Sequence, residues 1–159
     1  MNIEYLHASK YGNGAMVAEE FSQQMAAKGV TVHVRHIRDA RPSELPPADL
    51  YVFSSPARFG KPIGGMRRFL KKVELPAGTK YAILATEAAP HPDAAGRVPS
   101  EQDLARWTRV RPIMNEILQR KGLAEVAEGR IQVTGVKGPL EDGWQDKVRA
   151  FVTRIPIQG

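Results

Sequence analysis

The sequence has no cysteine, few aromatic residues (7%) and no long uninterrupted apolar run. The first absence excludes disulfides, thiolate zinc sites, iron–sulfur ligation and thiol nucleophiles. The start, Met1-Asn2-Ile3-Glu4-Tyr5-Leu6, offers no basic segment ahead of an apolar stretch, so no secretory signal is read there and a cytoplasmic location is expected. The four histidines, His7, His33, His36 and His91, form no recognisable metal box, and no metal is assigned. Neither a nucleic-acid motif nor a basic platform interleaved with aromatics occurs, so nucleic acid is not an expected partner.

What is present is the composition of an ordinary globular protein, 42% hydrophobic and 25% charged over 159 residues. One domain spanning residues 1–159 is expected, long enough to bury roughly 68–70% of the surface its unfolded chain exposes. The net charge is +6, and it is not spread evenly. Residues 30–72 hold nine Lys or Arg against three Asp or Glu, while the remainder carries fourteen of each. The whole excess therefore sits in one stretch, and what that stretch does decides what the charge means.

Short apolar runs alternate with segments of helical period, the rhythm of an α/β protein. Strands are expected over Ile3–Ala8, Val30–Ile37, Asp49–Ser54, Tyr81–Ala85 and Arg130–Val136. Helices are expected over Ala15–Lys28, from Pro62 to Lys72 or Val73, from a Ser100/Asp103 capping box to Lys121-Gly122, and over Glu141–Ile155. Pro112 should kink or split the third of these, and Trp107 and Trp144 fall on apolar helix faces. Right-handed crossovers turn this order into a three-layer α/β/α sandwich around a five-stranded parallel sheet. Ligands bind such sheets beyond the carboxyl ends of the strands. That directs attention to three loops, Ser9–Gly14, Ser54–Pro62 and Thr86–Pro99.

The first loop, Ser9-Lys10-Tyr11-Gly12-Asn13-Gly14, joins a strand to a helix. Its glycines let several amides converge at the helix N-terminus, where the dipole favours an anion, and Ser9 and Asn13 add side-chain donors. A tight turn capped by Asn13 is the plainer alternative. In the second loop, Arg58 and Phe59 place a cation and an aromatic ring at the edge of the sheet. In the third, Glu87 and His91 are the titratable residues that come first. The helix after Pro62 carries Arg67, Arg68, Lys71 and Lys72 opposite its apolar stripe, either a solvated face or a surface for an anionic membrane or an acidic partner.

The order of elements, the length and the Ser9–Gly14 loop followed by Val17-Ala18-Glu19 resemble the flavodoxin family. Ser9-Lys10-Tyr11-Gly12 with Ser55-Pro56, Gly60-Lys61 and Met66–Lys72 looks especially like the branch that includes the menaquinone-dependent protoporphyrinogen oxidases. The resemblance implies a flavodoxin-like sheet of order 2-1-3-4-5 and FMN as cofactor. It implies further that Ser9, Lys10, Tyr11, Gly12, Asn13 and Gly14 surround the phosphate. Ser55, Pro56, Ala57, Arg58, Phe59 and Gly60 would flank one side of the isoalloxazine, and Thr86, Glu87 and the stretch to His91 the other. Two departures stand out: Gly14 replaces the Thr or Ser of many members, and His91 alone offers a second stacking ring. The expected function is electron transfer through FMN, with a redox partner protein or a quinone. The alternatives are an oxidoreductase of the protoporphyrinogen oxidase type and a flavodoxin-fold domain that has lost FMN. Flavodoxin carriers are typically acidic, so a basic member departs from the usual shuttle.

Overall fold

The computed structural model describes residues 1–135 and 137–157. Five parallel strands form the sheet: β1 (Asn2–His7), β2 (Thr31–His36), β3 (Leu50–Arg58), β5 (Lys80–Ala88) and β6 (Ala124–Val133). Their spatial order is β2-β1-β3-β5-β6, so the parallel strands alone run 2-1-3-4-5 as expected. A two-residue strand, β4 (Lys61–Pro62), returns antiparallel against the end of β3, with Arg58 opposite Lys61.

Two apolar cores lie on the two faces of the sheet. Helices α1 (Asn13–Ala26) and α5 (Trp144–Arg154) bring Val17, Phe21, Met25, Val148 and Phe151 onto Ile3, Tyr5, Val52 and Leu84. Helices α2 (Gly64–Lys72) and α4 (Val110–Gln119) bring Met66, Leu70, Met114 and Leu118 onto Leu6, Phe53, Tyr81 and Ile83. The alternation of these residues along each strand follows from the two-residue period of the pleat. Because β3 and β5 are covered on both faces, their apolar runs are continuous.

Several boundaries differ from the sequence expectation, each for a physical reason. Pro62 is not in the first turn of α2; its ring sits in β4, where a hairpin end tolerates a missing N–H. β5 continues to Ala88 because β6 pairs with it through Ala88↔Val133, which shortens the loop expected from Thr86. β6 starts at Ala124, six residues before the expected strand, and Val136, its expected end, lies outside the described residues. The helix expected from Ser100 is split into α3 (Glu101–Trp107) and α4, and the break falls at Thr108-Arg109. Pro112 then stands in the first turn of α4, a position that needs no N–H donor. The capping box is present, with Asp103 N–H donating to Ser100 Oγ at 3.1 Å. No helix among the described residues is long and apolar enough to cross a membrane.

Candidate functional site

Beyond the carboxyl ends of β1, β3 and β5 lies a cleft of about 400 Å³. This is within the range of small-molecule and cofactor sites. The three loops singled out in the sequence converge on it. Ser9, Lys10, Tyr11, Asn13 and Gly14 line one end, Pro56, Ala57, Arg58 and Phe59 one wall, and Thr86 and Glu87 the floor. Gly12, Ser55, Gly60 and His91 do not line it.

Each of those four has another place. Gly12 takes a left-handed conformation (φ +93°) as the N-cap of α1, and its N–H donates to Ser9 Oγ at 3.1 Å. Ser55 is buried and holds the second loop together: its Oγ donates to Pro56 O and accepts from Ile63 N–H. At Gly60 the backbone passes so close to helix α3 that an added Cβ would lie 1.8 Å from Trp107 O. His91 is exposed and does not line the cleft. Trp107 is likewise 60% exposed rather than packed in the core, while Trp144 is partly buried against the α1/α5 core.

The first loop is fixed from behind by two histidines. Ser9 N–H donates to His7 Nδ1 at 3.2 Å, and Ser9 O faces His36 Nε2 at 3.0 Å. Because His36 Nδ1 accepts from Arg38 N–H, the proton is assigned to Nε2, which donates to Ser9 O. Burial, with the nearby Arg38 charge adding to it, pushes His7 down to about 4, so it stays neutral and its Nδ1 remains an acceptor. In front of the loop, the first α1 hydrogen bond runs from Met16 N–H to Gly12 O. The amides of Asn13, Gly14 and Ala15 thus belong to the unpaired first turn. Gly14 leaves no spare room there: an added Cβ would come within 3.1 Å of Ser9 Cβ.

A fourth segment, unnoticed in the sequence, closes this end. Val133 and Gly135 line the cleft, and Asn13 Nδ2 donates to Lys137 O. The Lys10 and Lys137 ammonium groups stand 5.5 and 5.7 Å from the centre of the Tyr11 ring. Proximity of Lys137 to the first loop depends on the loop following β6, which no local motif announces.

The opposite rim is the β3–β4 hairpin. Phe59 sits at its tip with φ +51° and is 92% exposed, so it does not fold onto the core. The Arg58 guanidinium lies 6.0 Å from the Phe59 ring centre. The floor residue Glu87 is 2% exposed and faces Arg111 Nε at 3.2 Å and Arg130 Nη1 at 3.9 Å. Burial raises its pKa and the two guanidinium groups partly offset that. No group of three or more metal-ligating side chains occurs among the described residues.

Solved structures place the chain in the flavodoxin fold. An archaeal flavodoxin superposes with a TM-score of 0.70 over 96% of this chain and 94% of its own, at 17% identity. Oxidised flavodoxin 1 of Bacillus cereus does so with 0.67 over 97% and 96%, at 19% identity. The rubredoxin oxygen:oxidoreductase of Desulfovibrio gigas matches 97% of this chain with 35% of its own length (TM-score 0.70, 12% identity). At these identities the likeness establishes the fold. No protein-family model and no curated protein matches the sequence.

Proposed function

We propose that the protein binds FMN in this cleft and passes electrons through it. The observation that carries the reading is the joining of an unpaired helix N-terminus, two lysines and a mostly apolar cleft at the carboxyl edge of one flavodoxin-fold sheet. The residues present fit the group. Ser9, Asn13 and the amides from Lys10 to Gly14 would hold the phosphate, with Lys10 and Lys137 adding positive charge. Gly14 suits the close approach of Ser9 and leaves phosphate binding to main-chain amides instead of a Thr or Ser hydroxyl. Pro56, Ala57, Thr86 and Val133 would border the ring. FMN, when bound, supplies one- and two-electron chemistry.

The exposed rim speaks to the partner. Lys10 and Arg58 line the cleft, Lys61 pairs with Arg58 across the hairpin and Lys137 stands beside Tyr11, all four without an ion pair among the described residues; Phe59 and Tyr11 of the lining are exposed, as is Trp107 next to Gly60. An acidic redox protein matches that surface in charge, with the aromatics as anchors. The Arg58–Lys61 pairing across the hairpin also favours a second reading, an oxidoreductase of the protoporphyrinogen oxidase type. Two cations flanking an exposed ring would meet an apolar substrate bearing carboxylates, with a quinone as acceptor.

Titrating the purified protein with FMN tests both readings. Quenching of flavin fluorescence with saturation at micromolar FMN is the expected result, and Lys10→Glu combined with Lys137→Glu should weaken it at least tenfold, about 1.4 kcal/mol. No saturation in the wild type would leave only a flavodoxin-fold domain without flavin.

A further inference from the structure

Glu87 takes no part in holding a phosphate, yet it occupies the cleft floor at 2% exposure. A carboxylate buried there is costly unless it is paired. Its partners come from two other elements. Arg111, in the first turn of α4, lies 3.2 Å from Oε2, and Arg130, on β6, lies 3.9 Å from Oε1. A cation in the first turn of a helix opposes the helix dipole, so Arg111 stands where its own helix disfavours it and Glu87 attracts it.

Neither arginine is committed to Glu87 alone. Arg111 Nη1 also meets Glu128 at 3.2 Å, and Arg130 Nη2 meets Glu101 of α3 at 2.9 Å. Glu128 in turn acts on Glu125, which burial and that neighbouring carboxyl push up to about 7. The charged groups that act on Glu87 are thus Arg111 from α4 and Arg130 and Glu128 from β6, with Glu101 behind Arg130. Burial outweighs the two guanidinium groups and holds the carboxyl above the ordinary range. Such a group responds to any further negative charge in the cleft by binding a proton more tightly.

We infer that Glu87 couples proton uptake to reduction of the flavin in the cleft. The inference rests on the FMN reading. FMN, when bound, would supply the redox chemistry, taking two electrons from a reductant and one proton from solvent; Glu87 would take a second solvent proton on a carboxylate oxygen and release it to solvent when the electrons leave. Arg111 and Arg130 keep the carboxyl in place in either state, because each retains a second carboxylate.

The test is the two-electron midpoint potential of the FMN-loaded protein from pH 5 to 9, with dithionite as reductant and indicator dyes for equilibration. The wild type should show a break where Glu87 changes from taking a proton to holding it in both states. Glu87→Gln should retain FMN, lose the break and have a higher potential than wild type at pH 9, since a negative charge is gone. Arg111→Gln should keep the break and move it to higher pH, a second readout should Glu87→Gln fold poorly. In the FMN-free protein, carboxyl 13C NMR should show two glutamates titrating above the ordinary range, of which the Glu87 signal disappears in Glu87→Gln and the Glu125 signal stays. Superimposable potential–pH plots for wild type and Glu87→Gln, with FMN bound to both, would overturn the role of Glu87 alone. Failure of the wild type to bind FMN would overturn the cofactor reading and this inference with it.

Discussion

Single residues decide how the cleft is held open, and glycines show it most clearly. Gly12 and Gly60 both have positive φ, but their surroundings differ. An added Cβ at Gly12 meets nothing within 4 Å, so Gly12→Ala adds conformational strain alone, about 1 kcal/mol. At Gly60 the same atom would sit 1.8 Å from the Trp107 carbonyl, and that is backbone, which cannot rotate away. The junction is drawn tighter by Arg109 N–H donating to Gly60 O at 2.6 Å. Gly60→Ala should therefore cost roughly 2–4 kcal/mol, read from urea midpoints. Equal midpoints for the two variants would show that the hairpin yields freely. Nothing in the sequence separated these glycines, because the contact at Gly60 comes from a helix some fifty positions on.

Among the elements, strand stretches buried on both faces and apolar were legible as runs, and strand ends that carry polar groups were not. β6 opens with Glu125 and Glu128, which break the apolar pattern before Arg130. The carboxyl of Glu128 pairs with Arg111 of α4, so the polarity is internal bookkeeping between two elements, invisible in either alone. β5 runs on through Thr86 and Glu87 for the same reason, held by register with β6 and not by hydrophobicity. Local signals did better where the chemistry was local. Ser100 and Asp103 cap α3, a seven-residue helix with no fully buried residue. Ser100→Ala should cost about 1 kcal/mol there. Amide hydrogen exchange in Glu101–Trp107 should quicken about fivefold while β3 and β5 stay unchanged. Global acceleration would mean that α3 is integral to the core.

On the scale of the whole molecule, the sequence located the charge excess but could not join it to Lys10 and Lys137 across the cleft. The fold does so by bringing the first loop, the hairpin and the loop after β6 to one edge. Titration should also be felt globally. His7 is neutral in the native state and held at about 4, whereas the unfolded side chain titrates near 6.5. Its contribution, roughly 3 kcal/mol, is complete above pH 6.5 and lost as pH falls toward 4. Glu125 acts in the opposite sense: raised to about 7, it stabilises the native state at low pH and loses that contribution as pH rises through 7, with solvent screening limiting its size. Urea midpoints between pH 4.5 and 6.5 should rise more steeply with pH in Glu125→Gln than in wild type, and less steeply in His7→Asn. Parallel curves for all three proteins would remove both assignments.

The pair of histidines behind Ser9 has a consequence for the timing of binding. With its N–H and its carbonyl both engaged, Ser9 is ordered before any ligand arrives. Fixing a backbone residue costs roughly 1–2 kcal/mol of conformational entropy, and here that loss is incurred during folding. An arriving phosphate would meet a prearranged cradle. Its capture would then be governed by diffusion and the attraction of the two lysines, with loop closure contributing little delay.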